Sequence, residues 1–497
     1  MEHVFDVIIV GAGPGGSSMA AFLSRSGVST LLLDKACFPR DKVCGDGLTP
    51  KAIYWLDFLG CVNEVLNQSN SYCTQGDIFV NGEHVLTGKF PQNTSYPGFS
   101  VFLERRKLDH ILVRNAISSG ALFRPGSRVK KLQWAHNGIL VEVESDNTHV
   151  CYKGKLVIGA DGANSIVSRA IGNKILNGTT AVSVRGYYKG VDVDRSQIQL
   201  YFNERFFPGY GWVFVDNDGK ANIGIGYAFD KNFPVKKKLR KVFHDFVSRD
   251  LKKILKHAEA IGIPKAGWTS FYKPRSMVAS RVMLIGDAAN LADPVNGGGI
   301  HSAIESAHLA AQVAMQAIAF GDFSSGFLCR YESLWNERTE MDWRTGELLL
   351  SIAKNPNLRE VYISLIKAVA KMIKENPRFE QFLGGIFSGV MPARKCICPF
   401  SLLDVTPLDP RIWLSALVSS PNPKPLALLE QAVSAMQNTL KTTVRIVSNP
   451  MVNLYWGLEI LSKTLGLVGC YANHEMVSSV NVITRGWTRS LETTKAL

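Results

Sequence analysis

The chain has 497 residues, 46% hydrophobic and 20% charged, with a formal net charge of +14 and a pI near 9.3. That composition belongs to a folded globular protein of about three domain-sized units and excludes a disordered, collagenous or disulfide-scaffold chain. No apolar run reaches the ~18 residues of a spanning helix, and no recognisable nucleic-acid module surrounds the basic residues. The nine cysteines are scattered. Cys396-x-Cys398 has the wrong spacing for a zinc knuckle and no nearby histidine pair, so no metal site is expected. With no signal-like segment before the first apolar run, reduced thiols and a cytoplasmic location are expected, peripheral to a membrane surface at most.

Val7-Ile8-Ile9-Val10 is an apolar run that leads directly into Gly11-Ala12-Gly13-Pro14-Gly15-Gly16. A helical pattern follows through Met19, Ala20, Phe22 and Leu23, then a second apolar run, Thr30-Leu31-Leu32-Leu33, ending at Asp34. This is a strand, a glycine turn, a helix and a second strand, with an acid about twenty residues beyond the glycines, where it meets a ribose hydroxyl. Gly11 permits the tight turn, Gly13 admits a pyrophosphate, and Gly16 lets the helix sit close on the sheet. The unpaired N–H groups at the helix start then face the phosphates. Asp34 and the adjoining Lys35 complete this first cofactor-binding segment.

Short strands are predicted at 78–80 and 85–86, a loop from Pro91 to Pro97, and a helix beginning at Arg105 with apolar residues at 108, 111 and 112. Strand-like runs fill about 128–158 and end in Leu156-Val157-Ile158-Gly159-Ala160-Asp161-Gly162. From 180 to 230 the pattern turns β-rich, with Asp216-Asn217-Asp218-Gly219 as a hairpin turn. Lys236-Lys237-Lys238-Leu239-Arg240-Lys241, followed by Val242, Phe243 and Phe246, is a basic helix with an apolar side. It fits either an anionic membrane surface or acidic substrate, or a solvated helix resting on the core. The chain returns to a buried strand at Val282-Met283-Leu284-Ile285, ending in Gly286-Asp287-Ala288-Ala289. Beyond 300 it reads as helical, with breaks at Asn355-Pro356, Pro392, a proline-rich stretch between 399 and 424, and Asn449-Pro450.

The expected architecture is α/β, a Rossmann-like nucleotide-binding domain with an inserted β-sheet substrate domain and a helical C-terminal region. The expected segments are 1–180 and 276–340 for the nucleotide-binding domain, 181–275 for the β-rich domain, and 341–497 for the helical region. Three distant segments suit one large dinucleotide lying across the sheet. They are the glycine loop with Asp34; Asp161-Gly162 at a strand end; and Asp287 with Asp293-Pro294-Val295-Asn296-Gly297-Gly298-Gly299-Ile300. In the third, Asp287 is placed to accept a bond from a sugar-alcohol hydroxyl. Backbone N–H groups of Gly297, Gly298, Gly299 and Ile300 start a helix beside the reactive ring, where donors favour developing negative charge.

In this order and spacing the three segments resemble the FAD-dependent monooxygenase superfamily with the p-hydroxybenzoate hydroxylase fold. The resemblance covers roughly residues 4–340 and implies FAD, contacted by Arg105 with Asp109 four residues on. A narrower resemblance, to the geranylgeranyl reductase family, rests on Phe38-Pro39-Arg40-Asp41-Lys42-Val43-Cys44-Gly45-Asp46-Gly47-Leu48 and Gly209-Tyr210-Gly211-Trp212-Val213-Phe214. It implies reduction of isolated double bonds in prenyl chains. Cys44, Gly45 and Asp46 would lie near the flavin ring, and Tyr210 and Trp212 on the substrate cavity wall. Cys44, Tyr210 and Trp212 are the candidate catalytic residues, with His301 a lesser one; Cys44 and Trp212 read equally as packing residues. Where that family often has proline after Trp-Val-Phe, this chain has Val215-Asp216, which bears on the substrate more than on the cofactor.

An isolated alkene offers no oxygen for an acid to polarise, so positioning and water exclusion carry more of the work. Only one GxGxxG loop is evident, which leaves NADPH bound transiently or a reduced ferredoxin-like protein as electron donor. A hydrophobic or lipid substrate implies peripheral membrane contact, and Trp343, Trp413, Trp456 and Trp487 suit such docking; no nucleic-acid partner is expected. The alternative enzyme is a flavin hydroxylase or halogenase acting on an aromatic or alkyl substrate. The Trp-x-Trp-x-Ile-Pro segment of tryptophan-type halogenases is absent from this sequence. A third reading is a flavin-binding protein without turnover.

Overall fold

The computed structural model describes residues 4–145, 148–173, 180–193, 197–229, 238–272, 276–363, 366–367, 377–397 and 452–470. Lys236, Lys237, Cys398, Trp413, Trp487, the proline-rich stretch and Asn449-Pro450 lie outside them.

The first sheet is built on Val4–Val10, which pairs in parallel with Thr30–Leu33 on one side and Thr148–Gly159 on the other. Leu122–Arg124 extends it in parallel at one end; on the other side Val282–Leu284 adds a parallel strand, and Val278–Ala279 pairs antiparallel with that as the last. Val7, Ile8 and Ile9 are fully buried, because a parallel sheet covered on both faces demands a continuous apolar strand rather than an alternating one. The helices Pro14–Arg25, Arg105–Ser118 and Ile300–Phe320 pack side by side in this layer. Met19, Leu23, Leu108, Leu112, Ile304 and Ala311 enter the same core. An antiparallel pair, Arg128–Ala135 and Gly138–Ser145, joins the sheet through Thr148–Gly159.

The second sheet has seven strands. Glu259–Ser270 is one edge, followed by Thr180–Lys189, Ala221–Phe229, Gly209–Val215 and Gln197–Phe202. Gln75–Val80 and Glu83–Lys89 complete it, the former parallel to Gln197–Phe202. Two strands from well before residue 180 therefore belong to the inserted sheet. The edge strand Glu259–Ser270 escapes sequence reading because Gly262, at φ +73°, and Pro264 interrupt its alternation. Proline is tolerated there because an edge strand leaves N–H groups unpaired.

One face of this sheet is covered by Leu239–Asp245 and the turn that follows. Val242, Phe243 and Phe246 sit in that core with Val184, Ile223 and Ile225. The apolar side of the basic helix thus rests on the sheet, the second of its two readings. Farther along, helices span Ser325–Ala353, Pro377–Phe387 and residues 452–470. Among the described residues no helix is long and apolar enough to cross a membrane.

Candidate active site between the two sheets

The glycine loop has the shape its spacing requires. Gly11 has φ +101°, and a Cβ there would lie 2.4 Å from the Ala160 carbonyl oxygen. A Cβ on Gly16 would lie 1.8 Å from the Gly11 carbonyl oxygen. Both positions are filled by protein backbone. Gly13 differs: its missing Cβ points toward open space, with only the Arg40 Nη2 at 3.8 Å. The helix Pro14–Arg25 begins there with proline in its first turn and no side-chain cap, which leaves N–H groups for an anion. Asp34 is buried and accepts bonds from Ala12 N and Ala36 N, each at 2.8 Å. It ties the end of the second strand to the glycine loop, while Lys35 is exposed.

Asp161 follows the neighbouring strand and accepts from Ile166 N at 2.6 Å. Its other oxygen, Oδ1, is buried without a protein partner. Burial raises its pKa against the bonds from Ser165 and Ile166. Asp287 lies in a single 3-10 turn, Gly286–Ala289, with Lys42 Nζ at 3.4 Å. Gly299, at the start of Ile300–Phe320, places its missing Cβ 3.3 Å from the Asp287 Oδ1. Gly297 takes φ +71°, a conformation glycine adopts freely. His301 is buried just behind it, and burial together with Lys51 lowers its pKa to about 3, so its imidazole stays neutral.

The Cys44–Asp46 turn joins these parts to the second sheet. Arg105 is buried and holds Asp109 with two bonds of 2.8 Å, and Arg40 adds a third at 2.7 Å. The Arg105 backbone N–H donates to Asp46 Oδ1 at 3.2 Å, so Asp46 caps a helix it does not belong to. Tyr187 Oη donates to the other oxygen of Asp46 at 2.6 Å, and Asn222 Nδ2 does so at 2.8 Å. Burial raises the Asp46 pKa to about 6 despite these donors. Asp46 sits at φ +65°, a conformation uncommon without glycine.

The sheet face toward this turn is aromatic. Tyr187, Asn222 and Phe214 stand opposite one another on three adjacent strands. In the next row Gly224 makes room for Trp212, since a Cβ there would lie 2.2 Å from the indole Cζ2. A Cβ on Gly45 would be 2.9 Å from the Phe214 ring, which stacks on Phe102 at 5.1 Å. Tyr210 Oη donates to the Asn296 carbonyl at 2.9 Å, linking this face to the third glycine segment. Trp212 is buried and donates its Nε1 to Asn222 Oδ1 at 2.9 Å. Cys44, Gly45, Asp46, Arg105, Tyr210 and Trp212 therefore meet at one junction.

Sequence reasoning missed Tyr187 and Asn222, and took Phe214 only as the end of the Gly209–Phe214 segment, without a role. Their one available signal was alternation within the β-rich segment, which places them on one face without saying what that face meets.

The FAD binding domain family model matches residues 4–344 of the chain. Menaquinone reductase from Mycolicibacterium smegmatis is 31% identical over 340 residues, covering 66% of this chain and 79% of that protein. Digeranylgeranylglycerophospholipid reductase from Thermoplasma acidophilum is 30% identical over 355 residues, covering 68% and 85%. A crystal structure of a geranylgeranyl bacteriochlorophyll reductase-like protein from Thermoplasma acidophilum superposes with a TM-score of 0.63. It covers 86% of this chain and 99% of that one at 24% identity, which establishes a shared fold. The chain belongs to the FAD binding domain family and is a flavin-dependent oxidoreductase.

Proposed function

We propose that this protein reduces carbon–carbon double bonds in the prenyl chain of a lipid or quinone. The observation that carries the reading is the Cys44–Asp46 turn seated on the aromatic face of Tyr210, Trp212 and Phe214. Such a wall suits an apolar chain and excludes water from the reacting bond. Reduced FAD, when bound, supplies hydride to one alkene carbon while a proton reaches the other. The chain's own residues do the rest. Asp34, the Pro14–Arg25 helix start and Gly13 would hold the dinucleotide, and Asp161 and Asp287 would accept from its hydroxyls. At the third segment the helix start at Gly299 and Ile300 would supply N–H groups, because those of Gly297 and Gly298, expected from the sequence to do so, are held by the Asp293 carbonyl and Asn296 Oδ1. Cys44 stands beside the reacting face as proton donor or as part of the wall, and NADPH or a ferredoxin-like protein supplies the electrons.

The substrate comes from a bilayer, and the helix at 452–470 supports that route. It is tied to the body by its polar side, through Glu459 to Lys354 at 2.7 Å, Lys463 to Glu347 at 3.1 Å and Trp456 to the Ser351 carbonyl at 2.9 Å. It turns outward Leu454, Leu458, Leu461, Leu465 and Val468, each more than half exposed. That orientation, with the net charge of +14, suits an anionic bilayer surface.

The test is anaerobic. Dithionite-reduced protein is mixed with vesicles carrying a geranylgeranyl lipid or quinone. Flavin reoxidation with a gain of two hydrogens in the product supports the reading. Reoxidation that waits for oxygen and accelerates with a small aromatic substrate or halide overturns it in favour of the oxygenase. Sedimentation with the same vesicles, lost in Leu458→Asp/Leu465→Asp, tests the docking route; unchanged sedimentation of that variant refutes it.

A further inference from the structure

Asn222 uses its side-chain amide on three separate parts of the site. Its Oδ1 accepts from Trp212 Nε1 at 2.9 Å. Its Nδ2 donates to the Cys44 carbonyl and to Asp46 Oδ2, each at 2.8 Å. A primary amide has two donor hydrogens and one carbonyl, and here each is engaged. The residue is 5% exposed, so water does not substitute for these partners. Its neighbours are equally constrained. Gly45 has no room for a side chain against Phe214, and Asp46 is in the left-handed region. The Trp212 indole lies over Gly224.

We propose that Asn222 is the positioning residue that sets the Cys44–Asp46 turn and the Trp212 wall in one register. The inference rests on the reading of this junction as the place where cofactor and prenyl chain meet. Without the amide, the Cys44 carbonyl loses this donor, Asp46 loses one of its donors and the buried indole N–H is unpaired. Each loss frees the turn to rotate relative to the wall. The contact is made by atoms 178 positions apart in the chain, so it couples the two domains directly. The expected consequence is a change in the surroundings of the cofactor ring and in kcat, with KM little affected, because the apolar wall still receives the chain.

The experiment uses FAD-loaded protein carrying Asn222→Ala, Asn222→Asp or Trp212→Phe. Three readouts are taken: the visible circular dichroism of bound FAD, thermal unfolding, and kcat against KM with the prenyl substrate. Asn222→Asp keeps the acceptor for Trp212 but replaces the donors with an oxygen facing Asp46. Trp212→Phe removes the indole donor and the ring volume over Gly224 but leaves both amide donors of Asn222 in place. Asn222→Ala and Asn222→Asp are expected to alter the flavin dichroism and lower kcat at least tenfold, with KM within about twofold. Trp212→Phe should reproduce only a minor part of both effects. A lowered unfolding temperature with unchanged flavin dichroism and kcat would reduce Asn222 to a stabilising contact and overturn the inference. The dichroism needs no substrate, so it decides the matter even if the protein reduces no prenyl chain. Should Asn222→Ala fail to fold, Asn222→Asp and Trp212→Phe carry the same comparison.

Discussion

Two alanine substitutions, three residues apart, separate what the glycine loop does for the fold from what it does for the cofactor. In Gly16→Ala the new Cβ would lie 1.8 Å from the Gly11 carbonyl oxygen and 3.1 Å from the Ala160 Cβ. Ordinary contact begins near 3.4 Å, so the Pro14–Arg25 helix has to withdraw by roughly 1.5 Å, a shift on the scale of overpacked cores. Met19, Ala20 and Leu23, all fully buried on that helix, lose contact with the strand. The cost is about 1–3 kcal/mol, a drop of several degrees in Tm. The helix start also moves away from the phosphates, and FAD binding should weaken at least about tenfold, or 1.4 kcal/mol. In Gly13→Ala the new Cβ has only the Arg40 Nη2 at 3.8 Å, and the backbone there is already extended at φ −74°. The apoprotein should therefore unfold at its usual temperature, while the methyl group occupies the pyrophosphate's approach and FAD affinity falls by tenfold or more. Thermal unfolding of the apoproteins and FAD titration by fluorescence quenching give both numbers. Gly13→Ala with ordinary FAD affinity, or Gly16→Ala with ordinary Tm, would refute the division of labour.

Two other outcomes test the junction. Asp46 titrates near 3.8 when unfolded and about 6 when buried, so the native state holds the extra proton between these values. Stability from this group is full below the lower value and declines as pH rises through the window, by about 3 kcal/mol in all. Asp46→Asn should remove that decline. Subtracting its stability profile from the wild-type one over pH 4–6.5 isolates the effect from the opposite slope of His301, whose pKa is lowered to about 3; an unchanged profile would sink the assignment. Cys44→Ala should retain FAD, since the variant loses the thiol's bond to Arg105 but keeps the turn's bonds through the Cys44 carbonyl and Asp46. It should slow substrate reduction about tenfold or more if the thiol donates the proton. Full single-turnover activity in that variant would leave Cys44 as part of the wall.

The dinucleotide cradle was legible in the sequence because its parts are contiguous. A strand, a turn, a helix and a second strand within the first 34 residues bury each other's surfaces locally, and the glycines stand where backbone meets backbone. The helix at Arg105, the strand ending at Asp161 and the turn at Asp287 were readable for the same reason. The basic helix was not: its sequence allowed a membrane face or a core face, and only the burial of Val242, Phe243 and Phe246 against the second sheet decided between them. Nor did the sequence reveal that Gln75–Val80 and Glu83–Lys89 cross into the inserted sheet, since strand pairing depends on partners more than a hundred residues away. Asn222 shows the limit most clearly. Alternation determines which face of the strand it occupies. What that face meets is decided by hydrogen bonds spanning 176 and 178 positions, and such contacts exist only after both domains have folded against each other.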